Sequence, residues 1–100
     1  MISQVSLNTL ASGLGVQSQV AERAAINIVN ANTDGYQGER GQVVSKPLQG
    51  AAYVPLPSEG PVDLGQELVT LNQAKLAYGA TAHALSSIAD TEKTVLDALA

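Results

Sequence analysis

The sequence predicts an all-α fold: two long antiparallel helices, N- and C-terminal, forming a coiled-coil-like hairpin with a short irregular connector. Three observations carry that expectation. Apolar residues recur at steps of three and four over residues 3–33 and again over 63–99, which is helical periodicity. Residues 34–62 hold all four prolines and five of the nine glycines, which interrupt helix and favour turns. The apolar content is 26 Leu, Ile and Val with 15 Ala, and only three Tyr with no Phe or Trp. That mixture suits close helix seams better than an aromatic-filled centre.

The first helix starts at Ser3 or Ser6, either of which suits an N-cap. Leu7, Leu10, Leu14, Gln17, Ala21, Ala24, Ile28 and Ala31 form a heptad seam with one polar member. Val5 and Val16 lie near the opposite side, with Val20 and Ile26 between, so the helix is apolar nearly all round. Its only charges are Glu22 and Arg23. A helix of this kind is either the core of a large protein or is surrounded by other chains, and one hundred residues are too few for the first. Gly13 and Gly15 each cost about 1 kcal/mol relative to Ala in a helix interior. They leave two readings, a helix passing through them or one beginning after Gly15.

Helix gives way to loop around Asn27, Asn30 and Asn32, with Asp34-Gly35 as the stop, because Gly readily takes the left-handed conformation that closes a helix. The three amides either meet water at a frayed end or hydrogen-bond the returning chain or a neighbouring subunit. In the connector, Val43-Val44-Ser45 and Ala52-Tyr53-Val54 are able to pair as a small β-hairpin across residues 46–51. Pro55 and Pro57 should end the second strand. Asp63-Leu64-Gly65-Gln66 has capping-box spacing. The second helix then carries Leu64, Leu68, Leu71, Ala74, Tyr78, Ala82, Leu85, Ala89, Leu96 and Leu99 as its stripe. Antiparallel packing would pair residues whose numbers sum to roughly 95–100.

Ala11-Ser12-Gly13-Leu14, Asn27-Ile28-Val29-Asn30-Ala31-Asn32-Thr33 and Gly35-Tyr36 resemble the N-terminal signature of the bacterial flagellar axial proteins, which build the rod, hook and hook-filament junctions. Val62-Asp63-Leu64, Glu67-Leu68-Val69, Leu71, Ala74, Ala77-Tyr78, Ala89-Asp90 and Leu96 resemble the family's C-terminal helix. Asp34 stands where the family often has Pro, and the segment between the two ends is much shorter than in hook-type members. The resemblance implies a small structural subunit of the basal-body rod, serving motility and polymerising through its terminal helices. It also implies homo-oligomers, contacts with other axial proteins, and passage through the flagellar type III export apparatus without a cleaved signal. Leu7, Leu10, Leu14, Val16, Val20, Ile28, Leu64, Leu68, Leu71, Tyr78, Leu85 and Leu96 are the expected hairpin and subunit interface. Asn27, Asn30, Asn32, Gly35 and Tyr36 are the helix-to-loop motif. A different reading from the same residues is a helical binding module, related to the axial proteins, that does not polymerise.

Composition argues against other classes. A net charge of −4 with five basic residues offers no basic patch for nucleic acid. Zero cysteines exclude disulfides, thiolate metal sites and a Cys nucleophile. No run approaches the ~18 apolar residues that mark a membrane span. His83, the only histidine, has no acidic neighbour at helical spacing and reads as a surface or interface residue. Asp90 and Glu92 point to different faces, and the glycines at 35–41 lack a phosphate-binding fingerprint. The expectation is no enzyme, no cofactor, no metal, no small-molecule substrate and no membrane insertion.

Overall fold

The computed structural model describes residues 4–58 and 60–100, in the order α1 (Gln4–Val29), β1 (Arg40–Lys46), β2 (Gly50–Leu56) and α2 (Leu64–Leu99). It is mostly helical, as the periodicity implied, and the connector folds as a two-stranded antiparallel sheet. Helix α1 runs unbroken through Gly13 and Gly15, so the alternative start after Gly15 is overturned. Ser6 lies inside the helix and is not its N-cap, while Ser3 and the side chain of Val5 lie outside what is described.

Helix α1 ends at Val29, earlier than the expected residue 33. The last helical bond is made by Asn30, and the bonds after it shorten to steps of three. The Asn30 backbone N–H and its Nδ2 both donate to the Ile26 carbonyl, at 3.1 and 3.0 Å. The chain then tightens, with Ala31 N–H on Ile28 O and Thr33 N–H on Asn30 O. Gly35 does take a left-handed φ of 75°. It turns the chain after the helix has already stopped, rather than closing the helix itself.

The strands are longer than expected and pair from Arg40↔Leu56 to Lys46↔Gly50. Pro55 sits inside β2 opposite Gly41, contrary to the expectation that it ends the strand. In a two-stranded sheet both strands are edges, so a proline fits where its nitrogen faces away from the partner. The ring of Tyr53 lies over Gly41 so closely that a Cβ there would overlap it. The turn places Leu48 after Pro47 with φ 63°, closed by Gln49 N–H on Lys46 O at 3.1 Å. A positive φ after a proline is the type II pattern, where Gly or Asn normally stands, and for leucine the left-handed region costs roughly 1–2 kcal/mol.

Asp63 caps α2 with extended backbone, its Oδ1 accepting Gln66 N–H at 3.2 Å. The forward half of the expected capping box is thus present, and Glu67 in the first turn complements the helix dipole. Gly38 N–H donates to Gly60 O at 3.2 Å, drawing the two ends of the connector together.

Helix α1 is the spine, with α2 against one flank and the hairpin, chiefly β2, against another; neither strand packs closely on α2. On the α2 flank, Gln17 and Ala21 share a groove with Tyr78 and Ala74. The helices therefore run antiparallel with partner numbers summing to about 95, the low end of the expected range. The hairpin flank contains Ser12, whose Oγ accepts Ala51 N–H at 3.0 Å, and Arg23 and Asn27, which hold Glu39. Val16 and Val20 fall between these positions on the helical repeat. Val16 is accordingly 4 % exposed, and Val20 and Ile26 are half-buried. This corrects the expectation of an apolar back on α1 left open to neighbouring chains.

Helix α2 departs from its expected stripe as well. Its covered positions centre on Thr70, Ala74, Ala77, Thr81, Ala84 and Ile88, flanked by Leu71, Ala82 and Leu85 from the expected stripe, with Glu67 and Glu92 half-buried toward the two ends. These steps of three and four are heptad spacing carried mainly by small residues, which let α1 approach closely. The apolar stripe is broader than one helix can cover, so Leu64, Leu68, Tyr78, Leu96 and Leu99 remain exposed.

The chain is correspondingly thin, 63 × 24 × 14 Å, with a radius of gyration of 17.4 Å against about 13 Å for a compact domain of this length. Its accessible surface is 6799 Å², where a compact monomer of 10.2 kDa would expose roughly 5,300 Å². Among the described residues only Val16, Ala24, Ala74 and Asn27 have buried side chains.

Candidate functional site

Two regions stand out, a polar junction where α1, β1 and α2 meet, and the apolar surface left open along α2. At the junction Asn27, 1 % exposed, is the largest fully buried side chain. Its Nδ2 donates to Glu39 O at 2.8 Å, and its Oδ1 accepts Glu39 N–H at 2.7 Å and the Tyr36 hydroxyl at 2.9 Å. The amide thus pairs with both backbone groups of residue 39, as a neighbouring strand would, and three half-buried polar partners are satisfied by one side chain. Gly38 lies alongside, where a Cβ would meet Val62 and Asn27 at ordinary van der Waals distance. Arg23 adds an ion pair with Glu39 at 2.9 Å.

The three asparagines therefore do different work. Asn27 holds the returning chain, Asn30 caps its own helix while accepting Thr33 Oγ1 at 3.3 Å, and Asn32 is exposed. Tyr36 joins Asn27 directly, whereas Gly35 contributes only a turn. Sequence reasoning missed Glu39 and Arg23. The acceptor and donor at residue 39 are backbone atoms, which no side-chain pattern announces.

The electrostatics suit a structural clasp. Loss of water raises the Tyr36 phenol above its ordinary value, and the nearby Glu39 and Glu67 carboxylates push the same way. Burial likewise raises Tyr53, against a lowering by Arg23. The hydrogen bond to Glu39 and its charge hold Arg23 more firmly protonated. A cleft between the hairpin and the first turns of α2 is lined by Val20, Arg23, Glu39, Tyr53, Glu67 and Thr70. Arg40 lines it as well, and within it Arg23 and Glu39 pair with each other at 2.9 Å.

His83 and Asp90 are exposed on α2. Among the described residues no group of three His, Cys, Asp or Glu side chains is placed to hold a metal ion, and no helix is long and apolar enough to cross a membrane.

The open surface is apolar. Thirteen large hydrophobic side chains stand exposed among the described residues, Val29, Leu48, Leu76 and Leu99 the most. Of the expected interface, Leu7, Leu10, Leu14, Val20, Ile28, Leu71 and Leu85 are half-buried within the chain, Val16 is buried, and Leu64, Leu68, Tyr78 and Leu96 face outward. On the side of the α1–α2 seam away from the hairpin, an apolar groove of about 340 Å³ opens between Ala21 and Ser18 on one helix and Ala74, Tyr78 and Gly79 on the other. With partner numbers summing to about 95, Val95, Leu96 and Leu99 have no counterpart among the described residues of α1. No protein-family model matches the chain, and no curated protein matches it.

Proposed function

We propose that the chain is a structural subunit of the bacterial flagellar basal-body rod, polymerising through its terminal helices with copies of itself and other axial proteins, after export by the flagellar type III apparatus. One observation carries the assembly half of this reading. The chain exposes about 1,500 Å² more surface than a compact monomer of its mass, and much of what is exposed is aliphatic. A standard interface takes about 800 Å² from each partner, so the surplus is that of a chain with two neighbours. Contacts of that kind need not close on themselves and then generate a helical tube.

The flagellar half rests on the signature residues. Asn27, Asn30, Gly35 and Tyr36 lie where α1 yields to the connector, and the second set of matches lies along α2. The steps of three and four on both facing surfaces support a coiled-coil-like hairpin. Recovery of the chain in purified basal bodies would support this half, and its absence from them would overturn it.

Sedimentation of the purified chain across a wide concentration range tests the assembly half. Open-ended growth is the expected result. A small oligomer of fixed size would instead support the non-polymerising helical binding module, and a folded monomer at every concentration would overturn both readings.

A further inference from the structure

The hairpin turn breaks a local rule without any compensation inside the chain. Leu48 occupies the one turn position that calls for Gly or Asn, adopts φ 63°, and holds its side chain 81 % exposed. Left-handed backbone is unfavourable for a branched residue, and an exposed leucine gains nothing from burial. Rules broken in this way concentrate where a partner supplies the missing contact.

On the side of the α1–α2 seam that the hairpin leaves open lies the apolar groove walled by Ala21, Ala74, Tyr78 and Gly79. A Cβ built on Gly79 meets no atom within 4 Å, so the chain itself does not need glycine there. Within a helix, glycine is the second costliest residue after proline. Knob and receptacle thus each carry a residue that the isolated fold disfavours.

We propose that Leu48 of one copy inserts into the Ala21–Tyr78–Gly79 groove of a second copy, making the hairpin tip the element that sets register between subunits. The occupant is a second copy because the chain's surplus surface matches two half-interfaces, as argued above, and because the two features lie on different sides of one molecule. A contact between unlike surfaces propagates from copy to copy. The tip sits beside Thr9 and Ser12, against which Gly50 packs, while the groove lies at residues 17–21. Successive parallel copies are therefore offset by roughly 13 Å or more along the helix axis, at about 1.5 Å per residue. Lys46 flanks the tip and Lys75 rims the groove. Both ammonium groups stay in water on flexible stems. This inference rests on the self-assembly reading and adds to it the identity of one contact.

The chain has no cysteine, so the contact is open to cross-linking. Chains carrying Leu48→Cys are mixed with chains carrying Gly79→Cys, at a concentration where the unaltered chain assembles, and oxidised mildly. The mixed disulfide is expected to dominate over disulfides formed by either variant alone. Equal yields of all species, or dominance of the Leu48→Cys pair with itself, would overturn the proposal and leave the assembly reading standing.

A second measurement has two signs to satisfy. Leu48→Asn suits the turn, and Gly79→Leu improves the helix while filling the groove. Each should raise the melting temperature of dilute chain and weaken association at least tenfold. Unchanged association in either variant would overturn the contact. Monomers of unaltered chain at every concentration would overturn both readings together.

Discussion

Around Asn27 the chain closes on itself with polar groups, and no buried side-chain nitrogen or oxygen among the described residues lacks a partner. Along α2 the opposite holds, since Leu64, Leu68, Val69, Leu76 and Tyr78 stand exposed with nothing over them. The difference follows from what each kind of surface needs. A buried amide requires specific partners at fixed geometry, which one chain supplies through the turn at 30–36. An apolar helix face requires only area, which a single additional helix and a small hairpin do not provide. The junction is thus finished within one molecule, and the open helix face is the surface on which the proposed assembly would act.

Substitutions that enter each region should separate these roles. The largest effect is expected from Val16→Asp, which buries a charge beneath the hairpin and should cost about 3 kcal/mol or more. Urea unfolding of dilute chain would measure it. A loss confined to assembly, with folding intact, would return Val16 to the open surface. Asn27→Ala comes next. It strands the N–H and C=O of Glu39 and the Tyr36 hydroxyl, at a cost of about 2–3 kcal/mol. The exposed Asn32→Ala should change stability by no more than about 0.5 kcal/mol. Equal effects at the two positions would mean that the clasp does not govern the junction.

The smallest effect expected is one of pH. The Tyr36 phenol is raised in the folded chain by loss of water. Its contribution is therefore fully present below the unfolded tyrosine value of about 10 and is lost as pH rises through the higher folded value. Ionisation would also remove the donor to Asn27. Melting temperature should fall more steeply above pH 10 for the unaltered chain than for Tyr36→Phe, and parallel curves would exclude this linkage.

The helices, their antiparallel pairing and the register near 95 were all legible in the heptad spacing, because helix period and chain length constrain them directly. The cap at Asp63 was equally plain, being a contact between residues three apart. The fate of Val16 was not. Its position on the back of α1 was read correctly from the sequence, but the hairpin at residues 40–56 came to cover that back. Which flank a hairpin takes depends on contacts such as Ser12 with Ala51, 39 residues apart, and periodicity carries no information across that distance.

Sequence by itself therefore determined that this chain is two long apolar-striped helices with more apolar surface than one molecule hides, since composition and period settle both. Tertiary structure alone decided which part of that surface stays open. The asparagine at 27 was visible as a polar residue near a helix end, but its partner is the backbone of Glu39, and backbone groups are the same at every position until folding brings one of them near.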